Sequence, residues 1–426
     1  MLLPADHPLR VHLNDEAHAR PPEVLTAPVR LTFLALFSDA SQREREWEHV
    51  CALARRFNKT PPAQASHYSA DLGPFRITWE RHSEFARYTF IVAGVRDDPF
   101  RESALLAVPA DWLEALPGQI MVATHAALLP ARPGPTDHEA LSGGHFGGNV
   151  LIGAGIADGA AIALTDLRIH NGFSRLLVMD HGLTPRQAGR MMQRLLEIDT
   201  YRLMALLALP VAHGLTPWLN AAERELAQIT NVLVDSKETD EPVLLDRLTR
   251  LEAEIESRES ANHYRFSAAT AYHELVQRRI QELREVRIQG LQTFAEFTER
   301  RLAPAMNTCR SVSARIESLS QRVARVTQLL STRVDVSRER QNQQVLESMN
   351  RRAAAQLRLQ QTVEGLSAAA ITYYVVGLVG YMAKGAASAG WPVNVELAMA
   401  ASIPVVALAT ILGVRHVRNV VARAVR

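Results

Sequence analysis

The spacing of apolar residues changes character twice along this chain, and each change marks a boundary. Up to about residue 183 the apolar runs are short and β-prone. VRLTFLALF (29–37) has strand length, and SQREREWEHVCALARRF after it has helical spacing that begins at a Ser cap. PFRITWERH (74–82) alternates and ARYTFIVAG (86–94) follows after a short gap, which predicts a hairpin. IMVATHAALL (120–129) predicts a further strand. VLIGAGI, AAIALTDLRI and FSRLLVM are separated by Asp158-Gly159 and Asn171-Gly172, dipeptides that suit the positive φ of type I′ turns, so an antiparallel meander is expected. The glycines at 153, 155 and 159 do not make a phosphate loop, because no G-K-[ST] follows them.

From residue 184 the pattern is helical. Thr184-Pro185 reads as an N-cap with proline at the first helical position, opening PRQAGRMMQRLLEIDTYRLMALLALP, and Thr216-Pro217 reads as a second such start. After the polar break DSKETDEP, Leu244, Leu248, Leu251 and Ile255 are spaced 4-3-4. Val312, Ile316, Leu319, Val323, Val326 and Leu330 keep a 4-3-4-3-4 heptad spacing, resumed by Leu346, Met349 and Ala353. Pro304 is expected to kink or end a helix. A helical bundle or coiled coil is therefore predicted over 184–363.

The second change comes at Glu364. Between it and Arg415 only Lys384 and Glu396 are charged. Gly365–Ala383 gives 19 uncharged residues and Leu397–Val414 gives 18, close to the roughly 20 needed to cross a bilayer. Spans near 365–383 and 397–414, joined by a short polar link with Trp391, predict a transmembrane hairpin. Arg351, Arg352 and Arg358 precede it and Arg415, Arg418, Arg423 and Arg426 follow, so both termini are expected in the cytoplasm. The predicted class is an α+β cytoplasmic domain (1–183) with a mixed or antiparallel sheet, a helical segment (184–363), the hairpin (364–415) and a basic tail (416–426).

Composition narrows the function classes. A net charge of +2 gives no general reason to bind nucleic acid. Two cysteines without C-x-x-C argue against a disulfide framework and a structural zinc site. No basic n-region with an apolar h-region opens the chain, so no cleaved signal is read. Charge is uneven in the helices: 217–262 holds eleven acids and five bases, 263–363 seventeen arginines and nine acids. The plain reading is two segments with complementary faces; a charge-controlled gate is the sharper one.

HPLRVHLNDEAHARPP, GFSRLLVMDHGLTPRQAGRMMQRLLEIDTYRLMALLALP and the terminal hairpin together resemble a bacterial family of membrane-anchored proteins of unknown function. The architecture also resembles that of CorA-type magnesium channels: a cytoplasmic α/β domain, a long helix running into the first span, and two C-terminal spans. That resemblance implies a Gly-Met-Asn signature at the outer end of the first span. This chain has Gly380-Tyr381-Met382-Ala383-Lys384 there, with no Asn and with a lysine that would repel a divalent ion.

Two functions follow as expectations. One is a homo-oligomeric, CorA-like cation channel or transporter, with Ala370, Tyr373, Gly377, Gly380 and Lys384 on one face of the first span and Tyr381 and Met382 beside them, as pore or packing candidates. The other is a membrane-anchored sensor or scaffold without transport. An enzyme is not expected, since G-x-S-x-G, H-E-x-x-H and a Walker loop are all missing and His125, His138 and His145 read as surface histidines. The expected partners are the lipid bilayer and other copies of the chain. No cofactor is expected, and the one candidate ligand is a divalent cation. Asp15, Glu16 and His18 in NDEAHARPP are the weak metal candidates. The preferred reading of that stretch is a structural lead-in to the first strand, with Glu16 and Arg20 paired.

Overall fold

The computed structural model describes residues 6–18, 21–62, 66–96, 98–132, 134, 136–235, 240–392 and 394–424. In chain order these form α1 (Arg10–His18), β1 (Val29–Phe37), α2 (Arg43–Arg56), β2 (His67–Asp71), β3 (Arg76–Arg81), β4 (Phe85–Ala93), α3 (Ala110–Glu114), β5 (Gln119–Pro130), α4 (His138–His145), β6 (Ile152–Ile156), β7 (Ala161–Thr165), β8 (Ser174–Asp180), then α5 (Pro185–Leu206), α6 (Ala208–Asp235), α7 (Glu241–Leu283), α8 (Phe294–Arg301), α9 (Ala303–Ser388) and α10 (Val395–Ala424). They fall into two compact units, Met1–Asp235 with Asp246–Val326, and Ser236–Leu245 with Thr327–Arg426.

The first unit is built on an eight-stranded mixed sheet ordered β2-β3-β4-β1-β5-β8-β7-β6. Every neighbour pair is antiparallel except β5 with β8, which is parallel. The α+β class expected from the sequence is therefore observed. The meander β6-β7-β8 forms as predicted. Asn171 and Gly172 carry φ of 52° and 90° between the mutually bonded His170 and Phe173, a two-residue turn of the I′ kind. The other turn is longer, since Ile156 pairs with Ala161 and leaves four residues between them. The glycine run also closes a sheet edge. Gly155 exchanges two backbone hydrogen bonds with Val286, and a Cβ at Gly155 would meet Val286 at 3.3 Å.

Alternation along each strand assigns the two faces. Leu34, Leu36, Ile77, Trp79, Tyr88 and Phe90 pack with Val50 and Leu53 of α2 and Trp112 of α3. The other set, including Leu31, Phe33, Thr78, Glu80, Arg87 and Ile91, lies with Met192, Gln193 and Leu196 of α5 around one small cavity. α5 starts as predicted, with Thr184 and Gln187 forming a reciprocal capping box. Two local expectations change. The cap before α2 is Asp39, which accepts from the Ser41 amide and begins a short 3-10 turn. Pro217 lies inside α6 instead of opening it, and the Thr216 hydroxyl donates to the Ala212 carbonyl one turn back. The break falls at Leu207, which puts Pro210 in the first turn of α6, where no backbone donor is needed. Pro304 likewise sits in the first turn of α9, just after α8 ends.

The heptad positions become buried stripes. Val312, Ile316, Leu319, Val323 and Leu330 are buried, as are Leu244, Leu248, Leu251 and Ile255. Complementary charge acts between the acidic and basic stretches: Arg315 pairs with Glu223 at 2.8 Å, and Arg333 lies 3.8 Å from Glu241. The repeat resumed at Leu346 and Met349 is exposed in the single chain.

Candidate functional site

In the second unit, α9 and α10 contain two stretches long and apolar enough to cross a membrane, and no residue of the α10 stretch is buried. α9 continues to Ser388, so the turn between them is shorter than the polar link read from sequence. Gly380 is the contact that sets their approach, since a Cβ there would lie 2.7 Å from the Met399 sulfur. Val376 and Ala383 are buried beside it. Ala368, Thr372 and Val376 line an apolar groove with Ile403, Ala407 and Ile411. The packing stripe therefore runs Ala368-Thr372-Val376-Gly380-Ala383. Of the sequence candidates Gly380 is on it, and Tyr373 lines the same groove at its edge. Tyr373, Tyr381 and Met382 are 77%, 76% and 74% exposed, Ala370 and Lys384 are exposed, and a Cβ added at Gly377 would meet nothing within 4 Å. Small residues recur on neighbouring stripes of this helix, so spacing alone did not choose between them.

At the other end, Asp15 is an exposed residue of α1. The side chains of Glu16 and His18, and Arg20 altogether, lie outside the described residues. Among the described residues no three His, Cys, Asp or Glu side chains are grouped to hold a metal ion. The segment just after the cluster, residues 23–25, is closely bound. Glu23 accepts hydrogen bonds from Ser69 (2.6 Å) and Thr78 (2.8 Å) and pairs with Arg76 (3.3 Å). The Leu25 amide donates to the Pro185 carbonyl at 3.0 Å. This strap crosses α5 at Gly189, where a Cβ would collide with the Glu23 carbonyl.

Beside the strap, between the sheet and α5, lies the main buried group of charges. Arg87 of β4 donates to Glu80 of β3 at 2.5 Å and to Glu197 of α5 at 2.8 Å, with all three side chains less than a tenth exposed. Glu197 also accepts from Gln193 and pairs with Arg279 of α7. Burial alone would raise the Glu197 carboxyl, but Arg87 and Arg279 hold it below its ordinary value. Burial and then the Glu197 charge push the Tyr201 hydroxyl up to about 12. Glu84 pairs with Arg265 and so ties the β3–β4 turn to α7 as well. The adjoining cavity, lined by Glu23, Thr78, Glu80, Arg87 and Gln193 among others, is about 40 Å³, room for about one water. Fixed ion pairs without a free nucleophile or a substrate-sized space hold elements together.

On the opposite face, Asp166 accepts from Asn149 (2.9 Å), the Arg168 amide and His170 (2.6 Å), so its acceptors serve the loop after β7. The expectation of surface histidines changes at His125. It belongs to β5, stacks on Phe173 with centroids 4.0 Å apart, and sits 3.0 Å from the Thr32 hydroxyl. Burial and the nearby Arg175 charge lower it to about 4, so it is neutral at pH 7.

The family model described as "Protein of unknown function (DUF3422)" matches residues 5–421. The chain belongs to this family. No curated protein and no solved structure matches it. None of these comparisons shows a likeness of this DUF3422 chain to CorA-type channels. Glu23, Glu80, Arg87 and Glu197 did not stand out in the sequence. The available signal was Glu197 itself, a carboxylate set among apolar residues in RLLEIDTY.

Proposed function

We propose that the chain is a membrane-anchored, self-associating sensor or scaffold, with the α9–α10 hairpin as its anchor and the sheet-based unit as its working surface. The observation that carries this reading is the hairpin: its outer faces bear exposed Tyr374, Leu378, Leu397, Val405 and Leu408, which water would not stabilise and hydrocarbon would. The arginine flanks favour an in–in orientation in a bacterial inner membrane. A cysteine at Ser388, in an otherwise cysteine-free chain, is expected to react with an impermeant reagent added outside intact cells, and one at Asn419 only after lysis. The opposite pattern rules the topology out.

Self-association is supported by the uncovered stripe of Tyr373 and Gly377. Light scattering in mild detergent is expected to give a whole-number multiple of the chain mass, and Gly377→Leu to shift it, because Gly377 meets nothing within its own chain. A monomer insensitive to Gly377→Leu contradicts the reading.

The same stripe, with Lys384 at its end, favours a second reading: a ring of copies forming a CorA-like cation path. Reconstituted protein would then pass a divalent ion, and Lys384→Glu should raise the flux several-fold by removing a repulsive charge. No flux from either form leaves the anchor reading.

A further inference from the structure

A second charged site lies on the sheet-based unit, away from the Arg87 network. The C-terminal end of α7 and the first half of α5 enclose a solvent-open cavity of about 520 Å³. Four guanidinium groups line it: Arg190 and Arg194 from α5, Arg278 from α7, and Arg284 just beyond α7. Among the described residues, Glu282 is the only carboxylate in the lining.

Structural roles account for two of the four. Arg194 pairs with Glu282 at 2.9 Å and donates to its backbone carbonyl at 3.1 Å, satisfying the end of α7. Arg284, held at a φ of 51°, pairs with Asp158 of the β6–β7 turn at 2.9 Å, and that turn bonds back through the Ala157 amide to the Leu283 carbonyl. Arg190 and Arg278 have no carboxylate partner among the described residues. Glu282, four residues after Arg278, is engaged instead by Arg194 and Arg279. Two uncompensated guanidinium groups thus face one cavity rimmed by two more. Arg190 and Arg278 are themselves exposed, so their donors are open to a ligand that enters from solvent. The planar donor fork of arginine matches the paired oxygens of a phosphoryl group.

We infer that this cavity binds a phosphoryl-bearing anion, bridged between Arg190 and Arg278. The volume suits a ligand of nucleotide size. The net charge of only +2 argues against a nucleic-acid surface. This site does not depend on the anchor reading, since all its residues belong to the sheet-based unit.

Titration calorimetry of inorganic pyrophosphate into the full chain, in neutral detergent at low salt, tests the site. Wild type is expected to bind saturably. Arg190→Gln and Arg278→Gln should each weaken binding about tenfold, with melting temperature unchanged. Arg132→Gln, which alters an exposed arginine outside the cavity, should leave affinity as it was. Arg190→Lys keeps the charge without the fork and should fall between. Discs of neutral and of anionic lipid separate the sources. Weaker pyrophosphate binding in anionic discs, abolished as a difference by Arg278→Gln, assigns lipid headgroups. Equal binding in both assigns a soluble phosphoester. No saturable binding at millimolar pyrophosphate, or equal losses in Arg132→Gln and Arg278→Gln, overturns the inference.

Discussion

Arg87→Ala is expected to destabilise the sheet-based unit by about 3–5 kcal/mol, seen as a fall in melting temperature of about 6–15 °C. The cost comes from what is left behind. Arg87 is the counter-ion of Glu80 and shares Glu197 with Arg279, and all three partners of this network come from different elements: β3, α5 and α7. Removing it strands one buried carboxylate and leaves the other half-compensated. Replacing the set together, as Arg87→Met with Glu80→Gln and Glu197→Gln, should cost far less, because no charge is then left unpaired. The pH dependence has a definite sign. Glu197 is held below its ordinary value in the fold, so its contribution is present above its unfolded value of about 4.3 and is lost as pH falls through the folded value. Arg279→Gln removes one of the two cations that depress it and should move acid unfolding to higher pH. A loss below about 1 kcal/mol for Arg87→Ala would place the network among weak surface pairs.

Those charges were hard to read because legibility followed sequence distance. β1, β3, β4, β5 and the meander were visible as short apolar or alternating runs bounded by turn dipeptides. β2, HYSAD, carries no such pattern and forms by pairing with β3. The parallel contact of β5 with β8 joins residues about fifty apart, and no local signal encodes it. Helical stripes were visible wherever they became buried, at Val312 to Leu330. The hairpin was visible from composition, but its packing face was not, since a choice between adjacent stripes depends on one contact, Gly380 against Met399. Arg87 is the clearest example. In FARYTFIVA it looks like the outward half of an edge alternation. It points instead at a second layer, α5, that the strand's own sequence cannot announce.

Gly189→Ala carries the other large effect, and its sign decides between two accounts of the same position. Inside α5, of which Gly189 is the fifth residue, an alanine is intrinsically better than glycine by about 1 kcal/mol, so a helix with a free surface at this point would gain stability. The fold puts the Glu23 carbonyl there. A Cβ at Gly189 would lie 1.6 Å from that oxygen and 2.8 Å from its carbon, both backbone atoms that cannot swing away. The strap is fixed on both sides of the clash, by Glu23 to Ser69, Thr78 and Arg76 and by the Leu25 amide to the Pro185 carbonyl. Leu25 is itself buried. Relief therefore requires undocking the strap, which loses charge-assisted hydrogen bonds of about 1.5–3 kcal/mol each and exposes a leucine worth about 1.5–3 kcal/mol more. A net loss of about 3 kcal/mol or more is expected after the helical gain of about 1 kcal/mol is deducted, with amide exchange at residues 23–25 rising towards that of an open chain. Glu23→Ala should reproduce part of the loss without touching the helix, and in its background Gly189→Ala should cost less than in wild type. A rise in melting temperature for Gly189→Ala would mean that the strap does not lie against α5, and would remove the anchoring role assigned to the segment after NDEAHARPP.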